Sequence, residues 1–413
     1  MSSEQTFVII GGGLAGGNAA ATLREEGFDG RVVLIGQEPG VPFGRPPLSK
    51  TYMRSEEDLD GWLVKPPEWY GECDVEHLYA TVAAVDADAH AIEIESGERV
   101  EYEKLLIATG GRNRRLEIPG AELDGIHYLR TVAECDAIKQ EAVAGRHAVI
   151  VGMGFIGCEV AASLTELGVR VTTIFPGRAP LDRVLGPELG AAFAAIHRDH
   201  GVELRTGAHV ARLEGTDRVA AVTTAEGDRV DCDFVVSGIG IEPNLPPIVG
   251  ESIEVSNGVL VDECCRATAP DVFAAGDIAN HLHPLFGRVR VEHYNNGEKM
   301  GRAVARSMLG STAPYDYVHT FWSDQYENKL EYVGHATKWD SFVVRGSLEE
   351  RQLLGFYLQD GQLLAAAGLD RGGDPELDED GEMAAAARLV GTRAKPTPEQ
   401  LEDEAVDLWS LVG

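Results

Sequence analysis

Two stretches of this chain carry residue types and spacing suited to holding a nucleotide by its phosphates. One reads Phe7-Val-Ile-Ile-Gly11-Gly-Gly13-Leu14-Ala15-Gly16, with Ala20 following; the other reads His147-Ala-Val-Ile-Val-Gly152-Met-Gly154-Phe155-Ile156-Gly157, with Ala161 following. In each, a short apolar run breaks into glycines and then turns helical. The first glycine permits a tight turn and the second lets backbone approach a pyrophosphate. The third lets helix pack on strand, so phosphate oxygens meet unpaired N–H groups and the positive end of the helix dipole. A single such fingerprint is weak. Two imply two nucleotides held at once, with electrons passing between them.

The elements that must position these loops follow from the apolar pattern. Val8–Ile10 and Ala148–Val151 suit buried parallel strands, and βαβ units are predicted at 6–36 and about 147–175. Glu38 stands 22 residues past Gly16, where an acid hydrogen-bonding a ribose is expected. Gly44-Arg45-Pro46-Pro47-Leu48-Ser49-Lys50 is a proline-stiffened loop with two cations. Small antiparallel strands are expected around 80–100, and a buried strand ends in Ala108-Thr109-Gly110-Gly111. Ser237-Gly-Ile-Gly240-Ile-Glu-Pro243-Asn244 is a turn, and Asp271–Asp277 a strand running into Gly-Asp before a helix. From Phe321 onward, four strands, an acidic loop at 374–382 and helices near 383–391 and 397–411 are predicted.

The chain of 413 residues is long enough for two or three domains. Its 44% hydrophobic and 25% charged content is that of a globular protein. A net charge of −31 argues against nucleic acid or an anionic membrane as partner; adaptation to a salty cytoplasm and a specific partner effect are the two readings of it. No signal peptide or membrane-spanning run is recognised, so a cytoplasmic location is expected. The six cysteines form no Cys-x-x-Cys or Cys-x4-Cys pair, which signals neither a redox disulfide nor a zinc or iron–sulfur site. Cys264-Cys265 is read as packing in a strand. His281-Leu-His283 is read as a solvated turn, and no metal is expected.

Taken together, Gly11-x-Gly13-x-x-Gly16, Arg45-Pro-Pro-Leu-Ser-Lys50, Ala108-Thr-Gly, Gly152-x-Gly154-x-x-Gly157, Ala275-Gly-Asp277 and Phe321-Trp-Ser-Asp-Gln325 resemble the flavoprotein ferredoxin reductases of oxygenase systems. That group includes putidaredoxin reductase, rubredoxin reductase and apoptosis-inducing factor, and the resemblance spans essentially the whole chain. It implies an α/β fold with two Rossmann-like dinucleotide-binding domains and an α+β C-terminal domain. A discontinuous FAD domain would occupy 1–113 and 247–320, an NAD(P) domain 114–246 and the C-terminal domain 321–413.

The resemblance further implies FAD on the first loop (Gly11, Gly13, Leu14, Ala15, Gly16), with Glu38, Arg45, Thr109, Gly110 and Asp277 around it. Lys50 would reach the flavin near N5, where a cation stabilises the reduced ring. Arg45 would neutralise phosphate, and Trp322 would lie near the isoalloxazine. The second loop (Gly152, Gly154, Phe155, Ile156, Gly157), with Phe175, Arg178 and Gly240, would take NAD(P). Glu159 and Glu292 would seat the nicotinamide; a dipole-complementing charge and a solvated charge beside His293 are their plainer readings. Phe175 replaces the acid that often marks NADH, and Arg178 either meets a 2′-phosphate or is a surface charge, which leaves the coenzyme open between NADH, the expected one, and NADPH.

Hydride would pass to the flavin and leave as single electrons to a [2Fe–2S] ferredoxin. The loop at 43–53 has no cysteine pair, which separates this reading from a disulfide reductase. An NAD(P)H oxidase, a quinone or radical reductase, and a non-enzymatic redox-sensing flavoprotein like apoptosis-inducing factor are the rivals. Docking an acidic ferredoxin calls for a basic patch, with Arg112, Arg114, Arg115, Arg288, Arg290, Lys299, Arg302 and Arg306 as candidates. A monomer or homodimer is expected.

Overall fold

A computed structural model describes residues 5–413. The chain forms two compact units: residues up to Arg45, 58–112 and 241–317 make the first, and 46–57, 113–240 and 318–413 make the second. Residues 46–57, assigned from sequence alongside the first nucleotide loop, therefore fold with the second unit. Their contacts explain it: the Cys135 thiol donates to the Leu48 carbonyl at 3.1 Å, and the Ser163 hydroxyl to the Ser49 carbonyl at 2.7 Å.

The first unit is built on a five-stranded parallel sheet in the order Val272–Ala274, Lys104–Ile107, Thr6–Ile10, Arg31–Gly36, Val75–Tyr79. Its central strands are continuous apolar runs because both faces are covered. Helix Leu14–Glu25 and helix Tyr294–Met308 lie close together, since a Cβ on Gly301 would stand 2.4 Å from the Ala15 carbonyl oxygen. Strands Val82–Asp86, Ala91–Ile94 and Arg99–Glu101 make the antiparallel meander expected around 80–100.

In this unit the structure departs from the sequence reading after Asp277, at Cys264-Cys265, and at Ile241–Pro243, a strand where a turn was expected. After Asp277 there is a single 3-10 turn, Gly276–Ile278, then strand Ala279–His283; Pro284 and Gly287 leave no room for a helix before Tyr294. His281 and His283 are consequently buried in a strand, not solvated. Their Nε2 atoms meet the carbonyls of Glu263 and Tyr317, and burial lowers the His281 pKa to about 4. Cys264 and Cys265 occupy a turn in place of the predicted strand. Asp262 Oδ1 accepts from the N–H groups of Cys264 and Arg266, and Cys265 takes a left-handed φ of 65°.

The second unit holds another parallel sheet, ordered Glu203–Thr206, Arg170–Phe175, His147–Val151, Phe234–Ser237, Ile126–His127. It also holds an antiparallel sheet, ordered Thr320–Gln325, Asn328–Gly334, Gln362–Leu369, Gln352–Gln359, Ser341–Ser347. Helix Glu382–Gly391 packs on that sheet. The expected helix over 397–411 is broken into Pro398–Glu402 and the 3-10 turn Leu408–Leu411. Arg345, 4% exposed, causes the break by drawing in the carbonyls of Leu401, Asp403, Glu404 and Val406.

Candidate functional site

In the first unit, Gly11 adopts φ +121°, and a Cβ there would collide with the Ala108 carbonyl oxygen at 2.1 Å. A Cβ on Gly16 would stand 2.0 Å from the Gly11 carbonyl oxygen, so helix Leu14–Glu25 can approach the strand only with glycine there. Gly13 is the N-cap, has no side-chain cap bond and faces open space. No acid occupies the helix's first turn, so its leading N–H groups and dipole present an anion-accepting end. Gly276 rests 3.1 Å from the Ala15 Cβ, measured to its own ideal Cβ, which brings the Asp277 turn to the same helix end.

Thr109 Oγ1 is buried with no hydrogen-bond partner among the described residues, while Asn244 donates to the carbonyls of Thr109 and Gly110. An orphaned hydroxyl of this kind calls for a partner atom. Glu38 and Arg45 form an ion pair of 2.7 Å, with the guanidinium 5.2 Å from the Phe43 ring centre. Glu292 pairs with Arg290 at 2.6 Å, and Arg290 also donates to the Asp277 carbonyl. An open glycine cradle, an anion-accepting helix end and an orphaned hydroxyl fit the pyrophosphate arm of a dinucleotide.

The second unit repeats the device. Gly152 has φ +96° with a prospective Cβ 2.5 Å from the Gly238 carbonyl oxygen, and Gly157 lies against the Gly152 carbonyl oxygen at 2.1 Å by the same measure. Gly154 caps helix Phe155–Glu166 without a side-chain bond and faces open space. Gly240, at φ +92°, also faces open space, and its carbonyl accepts from Arg114 N–H. Ile156 is exposed, and Phe155 meets the Phe321 ring edge-on at 4.9 Å. Phe175 is buried at its strand end. Arg178 is exposed, with its N–H held by Asp182 Oδ2 at 2.9 Å.

Beside this loop stands the most constrained polar cluster of the unit. Glu159, 4% exposed, accepts from Lys50 Nζ at 2.8 Å and from the Ser49 hydroxyl on Oε2, and from the Ser323 hydroxyl at 2.7 Å on Oε1. A buried carboxylate persists only when paired and fully hydrogen-bonded, which three donors achieve. Asp324 is next in line: burial pushes its carboxyl up, the Lys50 charge opposes this, and the Trp322 side chain hydrogen-bonds to it. Across the hairpin, burial raises Glu331 to about 7, opposed by Lys329 Nζ at 2.8 Å.

The structure thus joins Lys50 to Glu159 directly and sets Trp322 beside their partner Ser323. Glu292 and the FAD candidates (Glu38, Arg45, Thr109, Gly110, Asp277) belong to the first unit. The sequence reading quoted Ser49, Ser323 and Gln325 only as members of the 45–50 and 321–325 motifs, without a role, and missed His197. Strand alternation was the available signal, since it places Ser323 and Gln325 on one face and Trp322 and Asp324 on the other.

The candidate basic residues are not a free patch. Arg112 is paired with Glu242, Arg115 with Glu134, Arg302 with Glu298 and Arg306 with Glu26, while Arg288 holds the carbonyls of Val261 and Asn280. The cysteines are free, and burial raises the thiol pKa of Cys135 and Cys232 to about 12. Among the described residues no cluster could hold a metal ion, and no helix is long and apolar enough to cross a membrane.

Comparison with known proteins matches residues 5–301 to the pyridine nucleotide-disulphide oxidoreductase family and 320–412 to the reductase C-terminal family. Rhodocoxin reductase of Rhodococcus erythropolis is 36% identical, covering 98% of this chain and 93% of the relative. The ferredoxin–NAD(+) reductase component of the biphenyl dioxygenase system of Paraburkholderia xenovorans is 37% identical, covering 98% of both. A solved covalent complex of putidaredoxin reductase with putidaredoxin superposes with a TM-score of 0.91 at 30% identity, covering 100% of this chain and 99% of that one.

Proposed function

Because the chain belongs to the pyridine nucleotide-disulphide oxidoreductase family, we propose that it is a FAD-dependent NAD(P)H:ferredoxin reductase supplying an oxygenase, acting in the cytoplasm. The observation that carries the reading is the buried Lys50–Glu159–Ser323 cluster, together with a 43–53 segment free of cysteine. A family member that reduces disulfides needs a thiol pair to receive the electrons; this chain presents an ammonium held by a carboxylate instead.

The first glycine loop, with Thr109 and Asp277, would bind FAD, and Arg45 would turn from Glu38 toward phosphate with Glu38 left to a ribose hydroxyl. Bound FAD would supply hydride acceptance and one-electron release. Glu159 holds Lys50 in one orientation, so the ammonium is fixed before any substrate arrives and costs no reorganisation. The second loop would bind the pyrophosphate of NADH through the N–H groups that open helix Phe155–Glu166. Phe175 offers no acid for a ribose 2′-hydroxyl, and exposed Arg178 tolerates a 2′-phosphate, so NADPH would be accepted beside NADH. Glu292, tied to Arg290, would help to seat the nicotinamide.

The test is anaerobic stopped-flow reduction by NADH, followed by mixing with a [2Fe–2S] ferredoxin, oxygen or a quinone. Rapid re-oxidation by the ferredoxin alone supports the reading. Turnover with oxygen or quinone but with none of several ferredoxins overturns it in favour of an oxidase.

A further inference from the structure

Behind Glu159 runs a line of fully buried polar side chains. Gln325 Nε2 donates to the Ser323 hydroxyl oxygen at 3.2 Å; Gln325 Oε1 lies 3.1 Å from His197 Nε2; His197 Nδ1 lies 3.1 Å from the Tyr326 hydroxyl. Ser323, Gln325 and His197 are each 0% exposed. Burying three polar side chains is costly unless every proton has an acceptor. Tyr326 reaches its place through a hairpin turn at φ 56°, and its ring stacks on His200 at 3.6 Å.

Proton counting fixes the direction of the line. A serine hydroxyl has one proton, and Ser323 gives it to Glu159 Oε1, so Ser323 can only accept from Gln325. The amide then presents its oxygen to His197, which must carry hydrogen on Nε2. A neutral imidazole so protonated has a bare Nδ1 that accepts from Tyr326. Burial keeps both partners in those states: it lowers His197 to about 4 and raises the Tyr326 phenol. The reverse arrangement, with hydrogen on Nδ1 and the amide turned over, would draw the Ser323 proton away from Glu159.

We propose that His197 and Gln325 are positioning residues for the Glu159–Lys50 pair, acting through the Ser323 hydroxyl, an inference that rests on the reductase reading above. The charged or titratable groups around the two ends are Lys50, Asp324 and Cys158 beside Glu159, and His200, Glu166, Glu327 and again Cys158 beside His197 and Tyr326.

Two measurements on the FAD-loaded protein test it. In the nitrogen-15 spectrum of the histidine rings, wild type should show His197 neutral with hydrogen on Nε2 throughout the neutral pH range. Hydrogen on Nδ1, or a cationic ring, overturns the proposal whether or not any variant folds. In stopped-flow reduction by NADH, Ser323→Ala should slow the flavin roughly tenfold, the loss of one hydrogen bond to a charged acceptor, and Gln325→Leu and His197→Phe, which act on Glu159 only through that hydroxyl, should each slow it measurably but less. Joining His197→Phe to Ser323→Ala should slow it no further, and His197→Gln, which restores an N–H donor, should recover most of the rate. Multiplying effects, or a glutamine no better than phenylalanine, overturn it. Failure to reduce any ferredoxin would defeat the reductase reading alone, because neither readout involves the acceptor.

Discussion

Replacing Lys50 by Met leaves the Glu159 carboxylate without its counter-ion in a site where only 4% of the residue is exposed. Breaking a buried ion pair from one side costs about 3–5 kcal/mol, because the remaining charge is uncompensated. Here the hydroxyls of Ser49 and Ser323 still donate to that carboxylate, and each such bond to a charged acceptor is worth roughly 1.5–3 kcal/mol, so the lower end of the range applies. The expected loss for Lys50→Met is therefore about 3 kcal/mol. Adding Glu159→Gln removes the orphaned charge and should return at least half of it, so the coupling should exceed about 1.5 kcal/mol by whatever Glu159→Gln costs alone, which independent sites never show. Urea unfolding of wild type, both single variants and the double variant, with excess FAD present, completes the cycle. A Lys50→Met cost below about 0.5 kcal/mol, or strictly additive effects, would refute the claim that this pair is a desolvated unit.

Other consequences are equally open to measurement. Lys50→Ala should depress flavin reduction by NADH at least tenfold more than Lys329→Ala does; equal effects would show that Lys50 has no special part in that reduction. Gly13→Ala should fold normally, since nothing lies within 4 Å of the added carbon, yet bind FAD weakly, whereas Gly16→Ala should disrupt the loop itself; thermal melts with and without FAD separate the two. Glu331, raised to about 7 in the fold from an ordinary 4.5, binds more protons folded than unfolded between those values. Its contribution to stability is therefore complete below about pH 4.5 and lost as pH rises through 7. Glu331→Gln should flatten that part of the stability curve, and an unchanged slope would show the carboxyl to be already ionised. Arg345→Met should free the segment 398–413 to proteolysis while sparing the sheet, since four carbonyls of that segment lose their donor; unchanged cleavage would deny the arginine that role.

Both glycine loops could be read from the chain because their requirements are local. A strand, a positive φ and a close helix approach each demand a residue type at a fixed spacing, and Gly11, Gly16, Gly152 and Gly157 meet close backbone neighbours as that spacing implies. Lys50 and Glu159 were recognisable as chemical candidates, but their pairing was not, because no local rule links positions 109 residues apart in sequence (159 − 50). His197 and the role of Gln325 escaped for the same reason: each looks like an ordinary polar residue of a helix or strand until tertiary packing aligns their hydrogen-bonding atoms. Ala279–His283 failed through tertiary override, where partner strands on both sides claimed a segment with no strong pattern of its own. Cys264-Cys265 failed through turn chemistry, since Asp262 offers the backbone an alternative to a ladder. The basic candidates were read by their own charge; the carboxylates that neutralise Arg112 and Arg306 come from distant parts of the chain, whereas Glu298, four residues before Arg302 on one helix, was within reach of a local rule.

The central claim, that this chain works with a Lys50–Glu159 pair and without a redox-active thiol pair, is tested most directly by counting electrons. Anaerobic titration of the purified yellow protein with NADH should bleach the flavin completely at one equivalent per FAD, after which the reduced protein should discharge two equivalents of [2Fe–2S] ferredoxin. Uptake of a second equivalent of NADH, or a colourless protein that refuses added FAD, would contradict it.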